Sequence, residues 1–278
     1  MKKIKIVADS SCDLFSLERT ELATAPMKVS TAERSFADDP SLNVAEMVDY
    51  LYGYKGRSKS SCPNTSDWLE AFGDADEIYC VTITSGLSGS FNSASVAKNI
   101  YEKEHTGSRV AVFDSLSAGP EMTLIIRKIE DYISQGMQFD EITESVKEYM
   151  EGTGLIFMLK SLRNFANNGR VSPIVAKIVG IAGLCIVGKA SEEGTLEPMH
   201  KCRGERRSLE TLVQSLEAEG FRSGRVSIGH CENESAALEL KAMIEKRFGN
   251  VEIEIHKFRG LCSFYAEKGG VLIGFEKN

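Results

Sequence analysis

No run in this 278-residue chain is long and apolar enough for a membrane-spanning helix: the longest, residues 174–187, contains Lys177 and falls short of the roughly 20 residues a span requires. The charged opening MKKIKIVADSSCD holds an apolar run only over residues 4–8, too short for a signal segment, so a cytoplasmic protein is expected. No C-x-x-C pair occurs. The seven cysteines (12, 62, 80, 185, 202, 231, 262) are odd in number and scattered, which argues against a disulfide scaffold. His200 with Cys202, and His230 with Cys231 and Cys262, come nearest to a metal-ligand set, yet neither spacing suits a zinc knuckle or ribbon. No metal is expected. Positive charge is in deficit, with 33 Lys and Arg against 40 Asp and Glu for a net −7, so bulk nucleic-acid binding is excluded although a local basic patch is not. No repeat or low-complexity tract is present.

What is there is ordinary globular material. At 42% hydrophobic and 26% charged residues the chain has enough apolar surface to bury, which excludes disorder, and its length suits one large or two ordinary domains. The first half alternates strands and helices. Residues 4–8, 25–29, 78–84 and 110–113 read as strands; residues 44–54, the segment carrying Trp68, Leu69 and Phe72, and the segment through Val96, Ala97 and Ile100 read as helices. Residues 58–63 read as a hydroxyl-rich loop. Met122, Ile125, Ile126, Ile129 and Ile133 recur at helical spacing behind Pro120, which is placed to open a helix, and Ile142, Val146, Tyr149 and Met150 mark another. This order predicts parallel strands with helices packed on them, and polar ligands at the carboxyl ends of the strands, where Asp9, residues 85–90 and Asp114 would gather. Beyond Gly154 the character changes. Residues 226–230 and 251–256 alternate apolar with small or polar, as half-buried strands of an antiparallel or mixed sheet do, with His256 on the polar face beside Glu252 and Glu254. The chain therefore divides into an N-terminal Rossmann-like α/β domain over 1–155 and a C-terminal α+β domain over 156–278.

The strongest local signal is a strand, then Ser85-Gly86-Leu87-Ser88-Gly89-Ser90, then a helix. Amides and hydroxyls at such a helix start bind a carboxylate or phosphate, and an ordinary cap without ligand uses the same residues. The segment is also one residue away from a G-x-S-x-G nucleophile elbow, with Ser90 where the last glycine belongs; Asp114 and His230 follow in triad order, so an acyl-ester serine hydrolase using Ser88 is the second reading. The cluster Ser58-Lys59-Ser60-Ser61 ahead of Pro63 is weak alone. Arg170 follows Asn-Asn-Gly in a predicted exposed turn. The basic segment Lys201-Cys202-Arg203-Gly204-Glu205-Arg206-Arg207 sits between a strand and a helix; a third reading makes the protein a lipid-responsive regulator contacting a partner there.

Taken together, these pieces resemble the DegV family of bacterial fatty-acid-binding proteins. ADSSCDL resembles the family's T-D-S-x-x-D-L opening, APMKV its P-L-x-V strand, and Ser60-Ser61-Cys62-Pro63 its T-S-Q-P. ITSGLSGSFNSA (83–94) is close to S-S-x-L-S-G-T-Y-x-x-A, Val112-Phe113-Asp114-Ser115 to V-x-D-S, Asn168-Gly169-Arg170-Val171-Ser172 to G-G-R-I-S, and Lys201-Cys202-Arg203 to K-x-R. The motifs run in order over nearly the whole chain. The resemblance implies a two-domain protein that holds one long-chain fatty acid between its domains, needs no cofactor and is not itself an enzyme. It further implies a partner fatty acid kinase that phosphorylates the presented acid, and admits transient contact with a membrane surface. By position, Ser60 or its neighbour Ser61, together with Ser88 and the Gly89 amide, would hold the carboxylate. Arg170 would lie at the head-group entrance or kinase surface, with Arg203 nearby. The chain departs from the family at its C-terminal H-T-G-P-G, reading Cys262-Ser263-Phe264-Tyr265-Ala266-Glu267-Lys268-Gly269-Gly270 instead; Tyr265 falls at the histidine, and a phenol donates to a carboxylate without carrying positive charge. A second departure puts Gly119-Pro120-Glu121 where the family has small residues.

Overall fold

The computed structural model describes residues 2–171 and 183–278; Ser172 and most of the apolar run 174–187 lie outside them. In the first half, β1 (Ile4–Asp9), β2 (Glu21–Ala25), β6 (Glu77–Thr82) and β7 (Arg109–Asp114) form one parallel sheet in the order β2-β1-β6-β7. Its central strands β1 and β6 are buried on both faces, which is why they read as nearly continuous apolar runs. On one face Val7, Ile78 and Cys80 meet Trp68 and Phe72 of α2 (Thr65–Phe72) and Ala97 and Tyr101 of α3 (Ser90–Glu104). On the other, Ile6, Tyr79 and Val81 meet Met122, Ile125, Ile126 and Ile129 of α4 (Pro120–Ser134), the predicted stripe, with Pro120 in its first turn.

The expected strand over residues 25–29 is two strands. Pro26 has no N–H to give a ladder, so β2 stops at Ala25, and β3 (Lys28–Ser30) leaves to pair antiparallel with β4 (Ser35–Ala37) and β5 (Lys59–Ser61) in a small separate sheet. Part of the expected hydroxyl-rich loop is therefore β5. Between these elements α1 (Val44–Gly53) is capped by the Asn43 side chain.

In the second half, β8 (Thr153–Leu159), β9 (Leu184–Ala190), β10 (Leu196–Arg203), β11 (Gly224–His230), β12 (Val251–Lys257) and β13 (Val271–Glu276) form a sheet ordered β10-β9-β8-β13-β11-β12. It is mixed, with β11 and β12 parallel and the other pairs antiparallel. Its outer face buries Ile156, Met158 and Ile273 under α7 (Glu205–Ala218) and α8 (Glu234–Phe248). Its inner face turns towards α4, which is thus packed between the two sheets; a Cβ on Gly274 would stand 2.5 Å from the α4 backbone at Pro120 and Glu121, so that position admits only glycine. Residues 226–230 are buried rather than half-buried. On β12 Glu252 is exposed, as the alternation expects, while the His256 ring sinks among its neighbours: burial pushes its imidazole down to about 4, and Nε2 has no partner among the described residues. The proposed division at 155/156 falls inside β8. α5 (Phe139–Glu151) leads into that strand, α6 (Arg163–Asn167) follows it, and α9 (Gly260–Ala266) bridges the halves.

Candidate functional site

A cavity, open at its mouth, lies between the two large sheets. Its floor is one face of the mixed sheet. Leu155, Phe157 and Leu159 alternate inward along β8, Ala190 and Leu196 pair beside Leu155, and Leu272 lies opposite Phe157. Its roof comes from the parallel half, through Met27, Ile83, Leu87 and Ala118, while Leu261, Cys262, Tyr265 and Ala266 of α9 form a side wall.

Two features hold these walls. Asp9, at the end of β1, is fully buried and accepts the Ile83 N–H at 2.8 Å and the Ser90 hydroxyl at 2.6 Å, besides the backbone and hydroxyl of Ser11. That carboxylate ties both ends of the segment carrying Ser88 to the first strand; burial raises its pKa and the four donors oppose the rise. Asp38 accepts the Gly260 and Leu261 N–H groups at 2.9 and 2.8 Å, satisfying the open start of α9, and takes the Ser10 hydroxyl at 2.9 Å. The equally buried Arg259 donates to the carbonyls of Leu14 and Asp38 at 2.8 and 2.7 Å. α9 is thereby fastened to the N-terminal half.

One end of the cavity is polar. Ser60 on β5 and Tyr265 on α9 join their hydroxyls at 2.7 Å, across 205 residues of sequence. The Arg170 guanidinium lies over the Tyr265 ring, 5.4 Å from its centroid, donating through Nε to the Leu87 carbonyl at 2.8 Å and through Nη1 to that of Asn168 at 3.3 Å. Asn168 in turn receives the Ser60 N–H and donates to the Ser58 carbonyl. Burial raises the Tyr265 phenol further from ionisation, against the pull of Ser60 and Arg170, so it stays a neutral donor. Ser88 lines the same cavity, and its oxygen accepts the Ser90 N–H at 3.3 Å.

The strand alternation separates Ser60 from Ser61: Ser60 lines the cavity and Ser61 is exposed. Gly89 caps α3 beside Cys62 and is exposed, outside the lining. Arg203 is exposed at the end of β10, also outside it. Sequence reasoning missed Ser117 and Thr195, which also line the cavity and which no motif marks, and it gave no role to Thr84, a lining residue inside the 83–94 motif. The hydrolase arrangement does not assemble. The Asp114 carboxylate receives the Ser85 and Leu116 N–H groups, His230 Nδ1 receives the Asn233 N–H, and among the described residues no hydrogen bond links either to Ser88. Nor do three metal-ligating side chains cluster among the described residues, and no helix there is long and apolar enough to cross a membrane.

Comparison with known proteins gives the same picture. A DegV family protein of Eubacterium eligens loaded with heptadecanoic acid superposes with a TM-score of 0.97 at 42% identity, covering 99% of this chain and 100% of that one. The Streptococcus pneumoniae fatty acid kinase (Fak) B3 protein loaded with linoleic acid superposes with a TM-score of 0.97 at 41% identity, over 99% of each chain. A DegV domain-containing protein of Streptococcus pneumoniae is 41% identical over 276 residues, 98% of both chains. The DegV family, described as one of uncharacterised proteins, matches residues 3–278. With the motifs, the paired sheets and the enclosed cavity all in agreement, the chain belongs to the DegV family.

Proposed function

We propose that the chain holds one long-chain fatty acid in this cavity, its carboxylate at the Ser60–Ser88–Tyr265 end and its tail lying along β8 towards Leu155. The observation that carries the reading is the cavity itself: a slot walled by aliphatic and aromatic side chains with hydroxyl donors and one guanidinium gathered at one end. Similar proteins loaded with heptadecanoic and linoleic acid support it. Burying some fifteen methylenes at about 0.8 kcal/mol each contributes on the order of 12 kcal/mol gross, much of it offset by association and ordering costs. A hydrogen bond to the ionised carboxylate adds about 1.5–3 kcal/mol. The tail sets affinity and the donors set orientation. The chain works as a carrier, offering the carboxylate near Arg170 to a partner fatty acid kinase that supplies the phosphoryl chemistry; the likeness to the fatty acid kinase B3 protein supports this role.

Mass spectrometry of an organic extract of the purified protein is the direct test. A long-chain acid in stoichiometric amount is expected, and extracts free of lipid together with no uptake of palmitate or oleate overturn the reading. Ser88→Ala should weaken carboxylate ligands about tenfold more than matched alcohols, because only the charged acceptor gains the stronger bond. Equal losses for both remove Ser88 from the head-group site. A fluorophosphonate probe should leave Ser88 unlabelled.

A further inference from the structure

The polar end of the cavity is assembled from three separate elements: Ser60 comes from β5, Tyr265 from α9 and Arg170 from the turn after α6. β5 is an outer strand of the small sheet, three residues long and paired with β3, so the backbone groups on its other side need partners from elsewhere. The Asn168 side-chain amide supplies two. Its Oδ1 accepts the Ser60 N–H at 3.3 Å and its Nδ2 donates to the Ser58 carbonyl at 3.2 Å, as a residue of a neighbouring parallel strand would do through its backbone. Nδ2 also reaches the Asn164 carbonyl at 2.8 Å, which ties the amide to its own helix. Asn164 lies four residues earlier, on the same face of α6, and is buried. Its Nδ2 donates to the Phe264 carbonyl at 2.7 Å, one residue from Tyr265, and the Phe165 ring packs 4.6 Å from that of Tyr265.

One turn of α6 therefore grips α9 with one asparagine and β5 with the other, and it sets how far apart the Ser60 and Tyr265 hydroxyls stand. A hydrogen bond weakens steeply once its geometry is lost, so hydroxyls on two elements serve one carboxylate only if those elements keep their spacing. We infer that Asn168, itself outside the cavity lining, is a positioning residue: its amide holds the Ser60 hydroxyl in place, and the preference for a carboxylate over an uncharged head group depends on it. This rests on the proposed fatty-acid cavity.

The test uses the delipidated full chain with palmitate and hexadecanol, in wild type, Asn168→Ala, Ser60→Ala and the double variant. The Kd of the acid is divided by that of the alcohol. Asn168→Ala should raise this ratio about fivefold in the wild-type background and less than about twofold where Ser60 is already alanine. Asn168→Gly, which removes the same amide at a helix end that accepts glycine readily, should behave alike and decides the matter if the alanine variant does not fold. A ratio unmoved, acid and alcohol weakened in parallel, an equal rise in both backgrounds, or loss of folding in both variants makes Asn168 a piece of scaffold and overturns the inference while the fatty-acid reading stands. Failure of wild type to bind palmitate at all defeats both.

Discussion

Tyr265 shows how much a single side chain decides here. It enters the polar end of the cavity as a neutral phenol bonded to Ser60 with Arg170 over its ring. In the proposed function, charge for a bound carboxylate comes from the guanidinium and orientation from the hydroxyls. A second residue, Asp13, makes a separate prediction. Its Oδ1 accepts the Arg259 N–H at 2.7 Å, Oδ2 has no partner among the described residues, and burial pushes the carboxyl up to about 8. The unfolded chain releases this proton near pH 4. Between about pH 4 and 8 the native state therefore holds a proton the unfolded state has lost, so this group's contribution is greatest below pH 4 and declines as pH rises towards 8. Denaturant titrations from pH 5 to 8 should show wild type losing more stability than Asp13→Asn; parallel pH profiles would contradict the assignment. Asp9 and Glu121, shifted in the same direction by burial, leave some slope in the variant. At this scale the sequence left Ser60 and Ser61 as alternatives, and strand alternation puts Ser60, not Ser61, in the cavity lining.

Among the elements, the turn between β9 and β10 has the most exacting contact. Gly194 there has φ +68, and a Cβ on it would fall 2.0 Å from Thr84 Oγ1 and 2.8 Å from the Leu116 carbonyl oxygen. Gly86, opposite, would bring a Cβ within 2.5 Å of the Glu193 carbonyl oxygen. The turn thus seats glycine against glycine and closes the cavity wall on the segment that leads to Ser88. Gly194→Ala combines a left-handed backbone with a steric clash, and a loss of about 2–4 kcal/mol in denaturant unfolding is expected. A loss under 0.5 kcal/mol would mean that the turn is not held closed. Other elements were easier to read. α4 announced itself through its apolar spacing and Pro120, whereas β5 did not, because three residues rich in serine carry no periodicity and gain their pairing only from β3. The strand break at Pro26 was legible in principle from the missing N–H.

For the whole molecule, the cavity exists because two sheets are held apart by α4 and joined through α9. The Asp38–Arg259 contacts reach across 221 residues or more and clamp the side wall to the first half. A ligand sealed there binds the folded state alone, so at 100 times its Kd it should add about 2.7 kcal/mol. Fatty-acid-loaded protein should then melt roughly 5–10 °C above delipidated protein, and the difference should grow with ligand concentration. Identical melting curves would mean that the acid does not occupy the fold.

Local sequence by itself determined most of the element types (β3 and β5 excepted), the parallel first half, the mixed second half and the carboxyl-end placement of Asp9 and the Ser85–Ser90 segment, because periodicity, caps and glycine turns act over a few residues. The three-dimensional packing alone decided that Ser60 meets Tyr265, that Asp38 starts α9, that His256 Nε2 is buried, and that Leu155 and Phe157 face a slot instead of a filled core. An inward-facing apolar residue looks the same in a strand whether it meets another side chain or a cavity. Only the distance between the two sheets separates those cases, and contacts far apart in the chain set that distance.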